Sequence, residues 1–266
     1  MTIKVYDHPL SPYGQKVKIA LAEKGVAFTT EMPGAIGSGS TPDAFATVSP
    51  RGEVPALVEG SDLALFDSSV ILEYVEDRWP DPALLPASPR ERARVRLLEE
   101  VMDTHFEAIT WGLSEIRHFG RGEGALGERM FADGLAQLAR WYVWLERQLG
   151  DAEWFNGADF GWGDLCVAPF VNGAVGFGAV PSGPVADWLA RANERPSVAS
   201  CREAASAVAF DSPAVSLEAV REAMEQGLFK REYRDHRLEW MVRTGGLEIV
   251  GEGIERDNIR FVDPFV

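Results

Sequence analysis

Length, composition and charge exclude several classes of protein. The chain has 266 residues, of which 46% are hydrophobic, so it can bury a sizeable core and favours two domains over one. Its formal net charge of −15 disfavours a nucleic-acid partner, because phosphate backbones are anionic and no basic cluster stands out.

Strand and helix signals alternate in the N-terminal third. The expected elements are a strand at 3–6, a helix from Ser11 to Gly25, a strand at 26–30, a glycine-rich loop at 33–41, a short helix at 42–48, strands at 54–59 and 63–66, and a helix through 70–75. Ser11 suits the N-cap of the first helix and Gly25 its left-handed end. This order predicts an α/β domain with a small sheet over residues 1–80.

Helical periodicity dominates the rest of the chain. A proline-rich linker is expected at 81–89, an all-helical domain at 90–210 and a C-terminal extension at 211–266. Expected helices cover 97–116, 135–149, 164–175, 185–193, 198–208 and 217–242, and the tail from 245 gives a weak strand or coil signal. The chain has no run of about 18 apolar residues and no signal-peptide layout, so we expect a cytoplasmic protein with no membrane partner.

The two cysteines carry little chemical signal. Cys166 and Cys201 are too few and too isolated for a disulfide framework or a zinc site. We therefore expect both to pack as small apolar side chains in a reducing compartment, and we expect no metal.

The first stretch with chemical interest is Ser11-Pro12-Tyr13 at the start of the first helix. Unpaired backbone N–H groups and the positive end of the helix dipole favour a thiolate held there. Lowering a thiol pKa by about two units needs roughly 2.7 kcal/mol, which one or two well-placed donors supply. Taken alone, the simpler interpretation is that Ser11 only caps the helix.

Two further stretches suit an extended peptide. If the bond between Val54 and Pro55 is cis, the backbone N–H and C=O of Val54 turn outward and can pair with such a peptide. The hydroxyl of Ser68 suits a ligand carboxylate and the carboxylate of Asp67 suits an ammonium group. Locally, a cis bond is uncommon, and taken alone Asp67-Ser68 is more simply interpreted as a capping pair.

The joint order of these stretches resembles the cytosolic glutathione transferase superfamily, specifically its serine-type bacterial members. The resemblance covers roughly residues 3–208. It includes the segment from Ser11 to Gly25, the segment from Ser49 to Pro55, Asp67-Ser68, and in the helical half Asn156-Gly157, Gly163-Asp164 and Arg195-Pro196. It implies a glutathione transferase fold: a thioredoxin-like α/β N-terminal domain followed by an all-α helical bundle.

The resemblance also implies roles for individual residues. Ser11 would activate the sulfur of glutathione, the co-substrate. The residues that would bind glutathione are Glu53, Val54, Pro55, Asp67 and Ser68, and those that would line the pocket for a small apolar electrophile are Tyr13, Met102, His105, Phe106 and Ile109. For each pocket residue, ordinary core packing is an equal alternative.

Two positions depart from the family pattern. Gly161 stands where the motif that caps a buried helix usually has Ser or Thr, so Asp164 must support that helix start with less help. Glu53 stands where many members have Lys or Gln near the glycine end of glutathione, and an acid there would weaken binding.

Two function classes follow from the resemblance. The first is an enzyme that adds the glutathione thiolate to an apolar electrophile, by conjugation or by displacement of an ether or halide. The second is a non-catalytic protein of the same fold that acts in protein interaction or regulation, with a protein partner bound through the C-terminal extension. A homodimer is implied by resemblance alone.

Overall fold

The computed structural model describes residues 2–34, 43–209 and 217–261 of the chain. Of the predicted glycine-rich loop at 33–41, residues 35–41 lie outside the described residues, and so does residue 42 of the short helix expected next to it. No helix in the described part of the chain is long and apolar enough to cross a membrane.

The N-terminal region is built around a four-stranded sheet. Its elements are β1 (Ile3–Tyr6), α1 (Pro12–Glu23), β2 (Phe28–Glu31), α2 (Asp43–Ala46), β3 (Ala56–Glu59), β4 (Leu63–Phe66) and α3 (Ser68–Arg78). The strand order is β2-β1-β3-β4, in which β1 and β2 are parallel and the other pairs antiparallel. The predicted small mixed α/β sheet is confirmed.

Helix α1 begins and ends at the residues that its sequence predicts. The Oγ atom of Ser11 accepts a hydrogen bond from the backbone N–H of Gly14, Pro12 needs no donor at the first position, and Gly25 adopts a φ of +66° after the end. Val17, Ile19 and Leu21 are fully buried, so α1 is covered along most of its length.

The remaining region is mostly helical. Its first elements are α4 (Pro89–Val101), a π-helical turn (Met102–Phe106), α5 (Glu107–Arg117), α6 (Ala125–Leu149), α7 (Trp162–Val175), α8 (Gly183–Glu194) and α9 (Pro196–Ala207). Helix α7 is central, because it packs against α1, α4, α8 and α9 and is buried along most of its length. The predicted helix over 97–116 is helical throughout, and a π-helical turn at Met102–Phe106 lies inside it.

The C-terminal extension is more divided than predicted. It contains α10 (Leu217–Glu225), β5 (Arg231–Glu232), α11 (Asp235–Arg243), α12 (Leu247–Glu255) and β6 (Ile259–Arg260), and β5 pairs with β6 in parallel. The expected continuous helix at 217–242 is wrong, because Gly227 turns the chain with a φ of +70°. The tail contains a helix, α12, where strand or coil was expected.

Candidate functional site

The sheet register brings the three predicted stretches to one edge. Tyr6, at the end of β1, pairs with Ala56, at the start of β3, and Ala56 pairs with Phe66, at the end of β4. The chain leaves β1 towards α1, enters β3 from Pro55, and leaves β4 towards α3. Ser11, Val54 and Asp67 therefore belong to neighbouring connections at the same end of the sheet.

The hydroxyl of Ser11 caps α1 and keeps its own proton available. Its oxygen accepts the N–H of Gly14 at 3.2 Å, which leaves the O–H free to donate to a second acceptor. The neighbouring Tyr13 hydroxyl instead donates to the backbone carbonyl of Asp103 at 2.6 Å. Because the Tyr13 proton is already donated, Ser11 is the better placed of the two hydroxyls to donate to a thiolate. Burial also raises the pKa of Tyr13 well above its usual range, so its hydroxyl stays protonated.

The turn before Pro55 is fixed by its own serine. The Ser49 hydroxyl donates to the carbonyl oxygen of Glu53 at 2.9 Å and accepts the Glu53 N–H at 3.2 Å. The bond between Val54 and Pro55 is cis. Val54 is half-buried, at the place where an extended peptide would pair with its backbone.

Asp67 occupies an unusual backbone conformation at the start of α3. Its φ is +76°, a region that Asp and Asn enter more readily than most residues. Its Oδ1 accepts the N–H groups of Ser69 and Val70 at 3.1 and 3.4 Å, and its Oδ2 lies 3.2 Å from Nη2 of Arg51. Ser68, the first residue of α3, is buried beside it.

A buried ionic network lies behind the site and joins both halves of the chain. Nζ of Lys16, which is fully buried, lies 2.8 Å from Oε1 of Glu99 and 2.5 Å from Oδ2 of Asp103. Oε1 of Glu99 also accepts the hydroxyl of Ser69 at 2.7 Å. Burial raises the pKa of Asp103 to about 6, although Lys16 opposes the rise. Through the Asp103 carbonyl, this network also holds the hydroxyl of Tyr13.

Comparison with known proteins identifies the family. A model described as the glutathione S-transferase N-terminal domain matches residues 5–83. A maleylacetoacetate isomerase of Pseudomonas aeruginosa is 31% identical over 183 residues, which are 66% of this chain and 83% of the relative. A stringent starvation protein A homolog of Coxiella burnetii is 33% identical over 167 residues, 63% of this chain and 73% of the relative. The chain belongs to the glutathione S-transferase superfamily.

A solved structure supports the same fold. The glutathione S-transferase of Rhodospirillum rubrum F11 superposes with a TM-score of 0.67 at 29% identity, and the match covers 75% of this chain and 91% of that one. The resemblance stated from the sequence motifs and the expected glutathione transferase fold are both confirmed.

Most of the residues expected to line the electrophile pocket of this glutathione S-transferase are tightly packed. Met102, Phe106 and Ile109 are almost completely buried in the core. His105 is exposed and stacks on Trp141, with ring centroids 5.6 Å apart. Tyr13 packs edge to face against Phe170, with ring centroids 5.6 Å apart, and the pocket role of all five residues stays a prediction.

The C-terminal extension reaches Glu53 in the candidate site, a contact that the sequence did not predict. Nη1 of Arg234 lies 3.4 Å from Oε1 of Glu53, and Nη2 of Arg237 lies 2.6 Å from Oε1 of Glu107. Burial raises the pKa of Glu53 to about 7, and the nearby carboxylate of Glu232 adds to the rise. The missed residues lie beyond the family resemblance, so no motif pointed to them.

The described residues hold no group of three or more His, Cys, Asp or Glu side chains arranged for a metal ion. Cys166 and Cys201 are both buried free thiols, and burial raises the pKa of each. Thiols of this kind are poor nucleophiles, because the thiolate is the reactive form.

Proposed function

We propose that the protein is a glutathione-dependent enzyme that adds the thiolate of glutathione to a small apolar electrophile. Glutathione lies along Val54, with its γ-glutamyl end on Asp67 and Ser68, and the Ser11 hydroxyl donates a hydrogen bond to the sulfur. The observation that supports this best is the hydroxyl of Ser11, whose oxygen is already engaged by Gly14 and whose proton is free.

The chemistry follows from a stabilised thiolate. One strong hydrogen bond to an anion contributes about 1.5–3 kcal/mol, which raises the thiolate fraction at neutral pH. The sulfur lone pair forms a bond to the electrophilic carbon. In a displacement, the leaving group departs with the bonding electrons of the broken bond, and in an addition the carbanion takes a proton from solvent.

An isomerase is a variant of the same chemistry. A thiolate that adds to an activated double bond allows rotation about it, and expulsion of the thiolate then restores the alkene and regenerates glutathione. The 31% identity to a maleylacetoacetate isomerase, over most of that relative's length, favours including unsaturated acids among the electrophiles.

A regulatory protein of the same fold is the second candidate. The relative named as a stringent starvation protein A homolog favours it, and so does α12, which exposes Leu247 and Ile254 on its outer surface. In that case the C-terminal extension binds a protein partner and the site binds glutathione without turnover.

We also propose a cytoplasmic homodimer. Val70 on α3 and Leu97 on α4 are each more than half exposed, and they flank the ion pair between Glu73 and Arg96 that joins the two helices. An exposed apolar pair of this kind suits burial against a second copy. Light scattering of Leu97→Glu against wild type tests it, since the charge would separate a dimer formed through this face.

The first experiment is a calorimetric titration with glutathione, together with retention on immobilised glutathione. Asp67→Ala and Ser68→Ala should each lose binding, whereas Ser61→Ala, a matched change in an exposed turn, should keep it. No binding by the folded wild type would overturn the glutathione site and direct effort to a protein partner.

The second experiment separates an enzyme from a binding protein. Ser11→Ala should lower turnover of a model electrophile by about ten- to a hundredfold, while glutathione affinity changes by about twofold or less. Ser61→Ala, the same chemical change in an exposed turn, is the matched control and should leave turnover unchanged. Glutathione binding without turnover of any electrophile in wild type would favour the regulatory candidate.

A further inference from the structure

The C-terminal extension is held in one position on the helical region by buried ion pairs. Oε1 of Glu115 on α5 accepts from Arg231, and its Oε2 accepts the hydroxyl of Tyr233 at 3.1 Å. Further along, Arg237 binds Glu107. Both glutamates are buried, so these contacts fix the extension on either side of residue 234.

Close packing adds a second constraint on α11. A Cβ at Gly112 would lie 2.0 Å from Cζ3 of Trp240, so α5 and α11 approach each other at this glycine. The N-terminal end of α11, where Arg234 is the N-cap residue, therefore has a fixed position relative to α5.

From this position, two arginines reach the segment before Val54. Nη1 of Arg234 lies 3.4 Å from Oε1 of Glu53, and Nη1 of Arg260 donates to the backbone carbonyl of Arg51 at 3.3 Å. Residues of the extension thus border the backbone along which glutathione is proposed to lie.

Arg237 in α11 and Arg234, the N-cap residue of that helix, differ in how many of their N–H donors form hydrogen bonds. Nε, Nη1 and Nη2 of Arg237 all donate to Glu107 or Glu232. Within the described residues, the only side-chain hydrogen bond of Arg234 is the 3.4 Å bond to Glu53, and its side chain is 35% exposed. A guanidinium has five N–H donors, so Arg234 retains donors for a ligand.

The charges around Val54 also single out Arg234. Arg51 is shared between two carboxylates, those of Glu53 and Asp67, and Arg260 is bound by Glu232 at 2.6 Å. Within the described residues, the ion pair of Arg234 is with Glu53 at 3.4 Å, which is longer than the pair between Arg260 and Glu232. Burial raises the pKa of Glu53 to about 7, so this carboxylate is partly protonated near neutral pH. Arg234 is the least neutralised of these three cations.

Asp67 and Ser68 are proposed to bind the γ-glutamyl end of glutathione, which leaves its glycyl end without a binding residue. Its γ-glutamyl end carries an ammonium and a carboxylate, whereas its glycyl end carries a lone carboxylate that needs a cation. We propose that Arg234 binds the glycyl carboxylate of glutathione, so that the C-terminal extension completes the tripeptide site. This inference rests on the proposed function, because it requires glutathione along Val54.

The test compares two ligands that differ only in the glycine. Wild type should bind glutathione about tenfold more tightly than γ-glutamylcysteine in calorimetric titrations. Arg234→Gln should lose about that factor for glutathione and change γ-glutamylcysteine by about twofold or less. Arg243→Gln, at the exposed end of the same helix, is the matched control and should leave both affinities unchanged.

The outcomes are separable from those of the proposed function. If Arg234→Gln keeps the preference for glutathione, or weakens both ligands equally, the role of Arg234 is overturned while the glutathione site stands. If folded wild type binds neither ligand, the proposed function itself fails.

A ligand-side test covers the case in which Arg234→Gln does not fold. Glutathione monoethyl ester, whose glycyl end is neutral, should bind the unchanged wild-type protein about tenfold more weakly than glutathione. Equal affinity for the acid and the ester would overturn the inference without any variant.

Discussion

Arg237 of the C-terminal extension holds the buried carboxylate of Glu107 on α5, with Nη2 2.6 Å from Oε1. Burial alone would raise the pKa of Glu107, but the facing guanidinium outweighs it and the pKa falls to about 2. The extension therefore neutralises a charge that the helical region could not bury by itself.

Removing this arginine should be strongly destabilising. Among the described residues, Arg237→Met leaves His236, 3.0 Å away, as the remaining ion-pair partner of the buried Glu107. Breaking a buried pair from one side costs about 3–5 kcal/mol. We expect a loss of this size in urea unfolding, and recovery of most of it in the Arg237→Met/Glu107→Met double variant. Arg243→Met, at an exposed pair, should change stability by less than about 0.5 kcal/mol. Purely additive effects in the double variant would contradict the pairing.

Asp67→Asn should weaken glutathione binding without lowering the stability of the fold. Asp67→Asn keeps an oxygen that can cap α3 and tolerates the φ of +76°, so the free energy of unfolding should change by less than about 0.5 kcal/mol. Glutathione affinity should nevertheless fall, because a neutral amide attracts the γ-glutamyl ammonium less. Asp67→Ala should lose affinity and also about 1 kcal/mol of capping. Asp62→Asn, in an exposed turn, is the control, and unchanged affinity in Asp67→Asn would remove the ammonium contact.

The raised pKa of Glu53 predicts a stability that depends on pH. The pKa is about 7 in the folded protein against an ordinary value of 4.5, so the folded state holds the proton more tightly. The stabilisation is complete below pH 4.5 and is lost as pH rises through about 7. Between about pH 5 and pH 8 the Tm of wild type should therefore fall relative to that of Glu53→Gln. Glu203→Gln, on the exposed face of α9, should run parallel to wild type, and a parallel curve for Glu53→Gln would contradict the prediction.

The parts of the fold that could be predicted are those set by local signals. Helix α1 is bounded by Ser11 and Gly25, and the order of the strands along the chain follows from short apolar runs separated by turns. The π-helical turn between α4 and α5 could not be predicted, because such a turn leaves the spacing of the apolar residues almost unchanged. Helix α12 was missed because Gly251 and Gly253 lower helix propensity, whereas a Cβ at Gly253 would lie 2.6 Å from Ile259, so a close approach there favours glycine.

The positions of the site residues could be predicted from the sequence, whereas the charges around them could not. Ser11, Val54 and Asp67 lie in connections whose order a sequence displays. The charges that surround them are set by partners far away in the chain: Lys16 meets Glu99, and Glu53 meets Arg234, 181 residues away. A sequence gives the number of such charges but not their pairing, which only the packed structure determines.

The start of α7 shows why a departure from the family pattern is tolerated. A Cβ at Gly161 would lie 2.2 Å from Nδ2 of Asn156 and 2.5 Å from the carbonyl oxygen of Leu84, so a Ser or Thr side chain has no room. Asn156 donates to that carbonyl at 3.0 Å, and Asp164 accepts the backbone N–H of Gly161 at 3.1 Å. The amide oxygen of Asn156 also accepts the backbone N–H of Gly163 at 3.4 Å, so Asn156 satisfies an N–H at the helix start in place of the missing hydroxyl.

Restoring the usual residue should therefore harm this protein. Gly161→Ser should destabilise it by about 1–3 kcal/mol through overpacking, and Asp164→Ala should cost at least as much, since Phe155 N–H and Trp188 Nε1 also donate to that carboxylate at 2.8 Å. Gly173→Ser, at an exposed position of α7 with open space around it and no positive φ, controls for the loss of a glycine as such. Urea unfolding measures all three, and a Gly161→Ser variant as stable as wild type would mean that Asn156 gives way and that the contact with Leu84 does not hold the start of α7.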